Sequence, residues 1–406
     1  MTCRIARMLR AQKKHISFHT PGHKRAGEDI TELSYSDDLS DPTGVIALAQ
    51  ADAAAILGAD AAFFLTDGST CGVYSMLYAL RTRGVQTLAL PAYAHKSVTY
   101  ACEVLGLIPF FIPQDVEAGI PRQPSLWAME ASLAHADAML LTSPDYYGFL
   151  PDLAAARAVC AAAGKPLVID GAHGSHLHGT PGYAGNFADM WVDGVHKSLP
   201  ARTQGAVVCA KGTWTGPLAQ GAEHFRTSSP SYPILASVEY AVKYPRNLSI
   251  EGAAQAAKRA IGALENDDWT KIVLPFGEKA DEVQAALERR GVYAEFNDGN
   301  YLMFYLSPAT RAGELKKLVR LVRTLPRGEV RGERPVAGMV GSKTVMVPLD
   351  EAVGRVCARA CGVVPPCIPL IAEGCVVTAE AAARLKAAGH TFGLVDGRME
   401  VFEGEE

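Results

Sequence analysis

The chain alternates short apolar runs with longer stretches in which apolar residues recur at helical spacing. Between about residues 60 and 210 the β-prone runs are Ala62–Leu65, Thr87–Leu90, Ile108–Ile112, Ala138–Leu141, Leu167–Ile169, Met190–Val192 and Ala206–Cys209. Helix-compatible segments lie between them and close on glycine, as in Tyr74–Arg83 before Gly84 and Leu153–Ala163 before Gly164. This alternation predicts an α/β fold, a mainly parallel sheet of the seven-stranded type covered by helices on both faces. Ligands of such a sheet bind at the carboxyl ends of its strands, so polar residues there are the ones to inspect.

The pattern changes after residue 226. Thr227-Ser228-Ser229-Pro230-Ser231-Tyr232-Pro233 is a break, and a long Ala-rich helix is expected from about Ile234 to Leu264. Farther on, Tyr293–Phe296 and Tyr301–Tyr305 predict two strands joined through Asn297-Asp298-Gly299-Asn300. The expected organisation is an entry segment and large domain over 1–265 and a smaller α+β domain over 266–406. Residues 1–10 read as a short amphipathic helix with a solvated basic face rather than a targeting peptide.

Composition narrows the function. With 39 Lys+Arg against 43 Asp+Glu, the formal charge of −4 leaves no basic footprint for nucleic acid. No apolar run approaches the ~18 residues of a membrane span. Nine cysteines without framework spacing predict a reducing, cytoplasmic setting.

Three of the predicted strands end in polar groups. After Phe63-Phe64-Leu65 comes Thr66-Asp67-Gly68-Ser69-Thr70, a hydroxyl-bearing turn into a helix, suited either to a phosphate or to ordinary N-capping. Leu167-Val168-Ile169 ends in Asp170-Gly171-Ala172-His173-Gly174, and the strand near Met190 ends at His196-Lys197. Hydroxyl loop, carboxylate and lysine are what pyridoxal 5'-phosphate chemistry requires. The loop anchors the phosphate, the carboxylate keeps the pyridine nitrogen protonated, and the amine joins the aldehyde carbon. Of three His-Lys pairs, only the one at Lys197 follows both the loop and Asp170 at a strand end.

The chain resembles the ornithine/lysine/arginine decarboxylases, pyridoxal-phosphate enzymes of fold type I. The resemblance is collinear over His19-Thr20-Pro21-Gly22-His23-Lys24, Asp29-Ile30-Thr31-Glu32-Leu33, Asp37-Asp38-Leu39, Gly68-Ser69-Thr70 and His95-Lys96-Ser97-Val98. It continues through Asp170–Gly174, His196–Pro200 and Thr227–Tyr232, with fainter echoes at Glu351–Arg355 and Pro365-Pro366-Cys367-Ile368-Pro369. It implies Lys197 as the Schiff-base lysine, Asp170 as partner of the pyridine nitrogen and His95 stacked on the ring. Ala172 would pack near the ring's other face and Ser69, Thr70 and His196 would lie around the phosphate, with Gly68, His173 and Ser228 also at the cofactor site. The implied reaction converts a basic amino acid, the small-molecule substrate, to an amine and CO2. The implied assembly is a homodimer of the shorter family form, with the active site at the interface and Ser228, Ser229 or His19–Lys24 reaching a partner's site. An aminotransferase, a lyase or a diverged non-catalytic homologue are the alternative readings.

Departures from the family pattern fall at Gly194, where a phosphate-holding Ser is usual and only a backbone N–H can serve, and at Gly171, where Glu is usual. Val364 and Cys367 replace a usual Tyr and Gly, and Arg359 stands where an acidic residue is expected. No metal is expected. His173, His176 and His178 lack zinc-type partners, and Cys357, Cys361, Cys367 and Cys375 fit no zinc knuckle and read as buried small hydrophobes. Asp29, Glu32, Asp37, Asp38 and Asp41 are either a solvated loop or carboxylates at the site entrance that attract a cation.

Overall fold

A computed structural model describes residues 3–25, 27–330, 343–364 and 367–403; Pro365 and Pro366 of the fainter echo lie outside these. All seven predicted runs are strands of one sheet: β1 (Ala61–Leu65), β2 (Thr87–Pro91), β3 (Ile108–Ile112), β4 (Ala138–Thr142), β5 (Leu167–Gly171), β6 (Met190–Asp193) and β7 (Ala206–Ala210). Their order is β1-β7-β6-β5-β4-β2-β3. The pairs β2/β3, β2/β4, β4/β5 and β5/β6 are parallel, whereas β7 runs antiparallel to both β1 and β6. Strands β5, β6 and β7 are buried along their whole length, which explains the apolar runs that make up all of β7 and lead up to Asp170 in β5 and Asp193 in β6.

Helices cover both faces. Ile46, Ala156 and Leu235, from helices Val45–Leu57, Leu153–Ala163 and Tyr232–Val242, join one apolar layer. Met76, Val98 and Leu218, from helices Gly68–Thr82, Lys96–Leu105 and Thr215–Phe225, join the other. The amino-terminal helix, Arg4–Ala11, buries Ile5 and Leu9. It is more than a solvated element. Its first N–H groups, on Arg4 and Ile5, donate to the buried Glu239 carboxylate at 2.7 and 2.9 Å, so helix Tyr232–Val242 caps it.

Two expectations are corrected by local chemistry. The Ala-rich run forms two helices, Tyr232–Val242 and Leu248–Ala260. Pro245 interrupts it with no N–H to give, and Asn247 starts the second helix by accepting the Ile250 N–H at 3.2 Å. In the predicted hairpin only Phe296–Asn297 pairs with Tyr301–Tyr305, around a turn whose Gly299 has φ 91°. Tyr301–Tyr305 is the middle strand of a three-stranded antiparallel sheet with Lys271–Pro275. The core of this sheet reaches back to Ile250, Ala254, Ala257 and Ile261, upstream of residue 265. A further three-stranded sheet holds Thr344–Pro348, Leu394–Val395 and Arg398–Phe402. Among the described residues no helix is long and apolar enough to cross a membrane.

Candidate active site

A cavity of about 390 Å³ opens at the carboxyl edge of the large sheet, lined by residues that follow β1, β2, β4, β5 and β6. Because β7 is antiparallel, the residues that precede it, Thr203 and Gln204, reach the same edge.

Gly68, with φ 77°, turns the chain from β1 into helix Gly68–Thr82 and donates its N–H to Gln204 O at 2.8 Å. Asp67 at the N-cap does not cap this helix; its Oδ2 accepts instead from Thr66 Oγ1 at 3.3 Å and the Thr227 N–H at 3.2 Å. First-turn N–H groups have no partner within a helix; the Gly68 N–H is taken by Gln204, which leaves those of Ser69 and Thr70 to the cavity that all three residues line. The result is a ready anion cradle.

Across the cavity, Asp170 is buried at the end of β5, with Oδ1 accepting the Ala172 N–H at 3.1 Å. Burial raises its carboxyl pKa against the opposing pull of Lys197 and that N–H. Lys197 stands on the short helix Val195–Ser198 after β6, its Nζ 3.2 Å from His173 Nε2. Burial lowers the amine's pKa, opposed by Asp170, Glu295 and Cys367. A lowered pKa favours the neutral amine that a nucleophile needs.

Three histidines differ in how they are held. His95 caps helix Lys96–Leu105, its Nδ1 accepting the Ser97 N–H at 3.1 Å. Burial, with Lys197 and Lys96 nearby, pushes its pKa down to about 3, so the ring is neutral. His173 is buried, its Nδ1 has no partner, and it stacks on Tyr305 with centroids 5.5 Å apart and planes 16° apart. Burial holds its pKa well below the usual imidazole range, with Lys197 adding to the effect. His196 is tied back to Gly205 O through Nδ1 at 3.0 Å.

Lys197, Asp170, His95, Gly68, Ser69, Thr70, Ala172, His173 and His196 thus line one cavity. Ser228 does not; it lies exposed in the loop before helix Tyr232–Val242. Nor do the five acidic residues of the entry segment. Asp37 is committed to structure, because its Oδ2 accepts the Ile46 N–H at 2.7 Å and its Oδ1 the Thr43 N–H at 2.9 Å at the start of helix Val45–Leu57. The Gly194 N–H is not at the cavity either. Gly194 backs onto Ala172, whose carbonyl oxygen would lie 2.5 Å from an added Cβ. A Cβ on Gly171 would meet Val192 O at 2.8 Å, so both glycine departures are matched by close backbone packing. His176 lies in a buried contact with Asp268, while Cys357 and Cys361 are buried and Cys367 lines the cavity. Among the described residues no group of three or more His, Cys, Asp or Glu is placed to hold a metal ion.

Several residues escaped the sequence reading. Thr142, the last residue of β4, and Asp145 and Tyr146 just after it line the cavity, and the strand-end rule that found Asp170 would have found them. Tyr305 comes from the small sheet and Glu295 from just before its strand Phe296–Asn297, with no comparable signal. The Glu295 carboxylate acts on Tyr146, Lys197 and Tyr305 through its charge.

The set fits pyridoxal phosphate. The cradle suits its phosphate, buried Asp170 has one N–H partner and room for a ring N–H, and the unpartnered His173 Nδ1 marks an unsatisfied polar group against the same space.

Comparison with known proteins points the same way. Residues 26–265 match the model of the Orn/Lys/Arg decarboxylase major domain. The chain is 28% identical to the uncharacterized protein YaaO of Bacillus subtilis, over 97% of this chain and 95% of that one. It is 26% identical to an arginine decarboxylase of the same organism, over 91% and 90% of the two chains. In structure it resembles the Francisella novicida lysine decarboxylase LdcF, with a TM-score of 0.74 at 16% identity over 99% of this chain and 81% of that one. The constitutive lysine decarboxylase of E. coli gives 0.73 at 18% identity, over 99% and 82%. These structural likenesses carry the fold, and the family match covers more than half of the sequence. The chain belongs to the Orn/Lys/Arg decarboxylase family of pyridoxal-phosphate-dependent enzymes.

Proposed function

We propose that this chain decarboxylates a basic amino acid, arginine, lysine or ornithine, to its amine. The observation that carries the reading is the facing of buried Asp170 and the depressed-pKa amine of Lys197 across a cavity with an open helix N-terminus. Ser69, Thr70 and the first-turn N–H groups hold the phosphate, Asp170 holds the ring nitrogen, and Lys197 supplies the amine. His95, which is neutral, would lie against the ring without adding a cation beside it. When bound, the cofactor supplies the electron sink that lets the Cα–carboxylate bond break. His173, 3.2 Å from the lysine amine, is placed to take or return a proton at Nζ. Glu295, which acts on Lys197 and Tyr146 from the small-sheet side, is the carboxylate for the substrate's distal cation.

The working unit is a homodimer in a reducing cytoplasm. Ile16 and Phe18, 86% and 94% exposed beside His19–Lys24, are the apolar arm that a second copy would cover. The test is release of CO2 from arginine, lysine and ornithine by purified, cofactor-loaded protein, with norleucine as a control lacking the distal cation. Release from at least one basic substrate and little from norleucine is expected. Keto-acid formation without CO2 would instead mark an aminotransferase.

A further inference from the structure

Behind the cavity, a buried charge cluster ties the small sheet to two of the cavity's loops. Asp268 and Lys271 are fully buried at the start of strand Lys271–Pro275. Asp268 Oδ1 accepts from the Thr270 N–H at 2.8 Å and Thr270 Oγ1 at 2.7 Å, and lies 2.9 Å from His176 Nε2. Lys271 Nζ is 3.6 Å from Asp268 Oδ2 and donates to Asp145 O at 2.5 Å. His176 belongs to the loop after β5 that carries His173, and Asp145 precedes Tyr146 in the loop after β4. Neighbouring bonds reinforce the join: the N–H groups of Asp267 and Asp268 donate to Gly148 O, each at 3.0 Å, and Asn266 Nδ2 donates to Tyr147 O at 2.6 Å.

Stability alone is a weak reason for such a cluster, since a buried ion pair can often be replaced by apolar groups of similar volume at little cost. Geometry is a better one. Burial alone would raise the Asp268 carboxyl pKa, yet His176 and Lys271 hold it well below the usual carboxylate range. Burial pulls the Lys271 amine's pKa down while Asp268 and Asp145 hold it up, and a carboxylate and amine set together out of reach of water fix their neighbours in place, because each misplaced partner leaves a buried polar group unsatisfied. Here the partners are the backbone of one cavity loop and the imidazole of the other.

We propose that Asp268 and Lys271 are positioning residues for the decarboxylation: they set the His173 and Tyr146 loops relative to each other, and so fix the pose of the cofactor ring, without lining the cavity themselves. This rests on the functional reading above.

The test compares D268N/K271M, which removes both charges together, with H176F and H176Q, in the full-length cofactor-loaded protein. H176F keeps a ring edge against Trp269 but loses the bond to Asp268, and H176Q restores a side-chain donor. The induced visible circular dichroism of bound cofactor reads its pose, and steady-state kinetics separate kcat from KM. In D268N/K271M and H176F we expect full cofactor absorbance, altered dichroism and a kcat lower by about a hundredfold. KM should stay within about threefold of wild type, and H176Q should recover most of the kcat. Folded variants with wild-type dichroism and kcat would overturn the inference. So would failure of both D268N/K271M and H176F to melt cooperatively, since the cluster would then be structural only. Wild-type protein that takes up no cofactor would defeat the functional reading and this inference together, whereas a coloured wild type with silent variants would defeat this inference alone.

Discussion

The floor of the cavity and the wall facing it are made from different parts of the chain and obey different rules. Floor groups such as Ser69, Thr70, His95, Asp170 and Lys197 each sit within a few residues of a strand end in the large sheet. Asp170 is buried outright, and burial is the first cause of the shifts at Asp170, Lys197 and His95. Groups on the facing side arrive from remote positions: Cys367, which lines the cavity, from a segment whose carbonyl accepts the Lys96 N–H at 3.0 Å, and, behind the lining, Tyr305 from the small sheet and Glu295 from just before its strand Phe296–Asn297. Glu295 is exposed as a residue yet reaches the lysine by its charge. The difference separates tasks. On the proposed function, a low-dielectric floor would set the protonation states that the chemistry needs, and a partly wet wall would read the far end of the substrate.

Breaking the floor should cost most. Lys197→Ala removes the only amine among the floor groups named and should lower CO2 release by about 10⁴-fold or more, with loss of the lysine-linked cofactor's visible absorbance. Retained absorbance at that band would place the attachment on another lysine. Asp170→Asn keeps the shape but not the charge opposite the ring nitrogen. A fall in kcat of about 10²–10³-fold is expected, the size of losing one preorganised electrostatic partner. A kcat within a few-fold of wild type would remove Asp170 from that role.

The wall should answer differently. Glu295→Gln takes away one charge facing a cationic group, an interaction worth about 1.5–3 kcal/mol. The expected result is a KM for the basic substrate raised about 10- to 100-fold, with kcat changed far less. Loss of kcat at constant KM would move Glu295 from the wall to the chemistry, and the contrast between the two regions would fail.

The same contrast explains what the sequence disclosed. Period and glycine punctuation located all seven strands of the large sheet, and the polar residues after them were legible because parallel strands all deliver their carboxyl ends to one edge. Thr203 and Gln204 escaped because β7 runs the other way, so its leading residues face the site. Glu295 escaped because its neighbour Phe296 begins a strand of only two residues, too short to show a period. Asp268 and Lys271 escaped for a further reason. A charged pair beside a strand reads as surface until the fold shows that two loops close over it.

The smallest expected effect tests how tightly the floor is built. Gly194 stands where the family usually has a serine, and the sequence alone presents this as a lost phosphate contact. The structure gives it another meaning, because the added Cβ would lie 2.5 Å from Ala172 O and a backbone atom cannot swing aside as a side chain can. Gly194→Ser must therefore push Ala172 toward the cavity or strain the turn before Lys197. Overpacking of this kind costs about 1–3 kcal/mol, so the apoprotein should melt a few degrees lower. Cofactor titration of the same protein should show weaker binding, since Ala172 lines the space that the ring would occupy. An unchanged melting temperature with tighter binding would mean that the serine hydroxyl reaches the phosphate after all, and that the floor yields more readily than its packing implies.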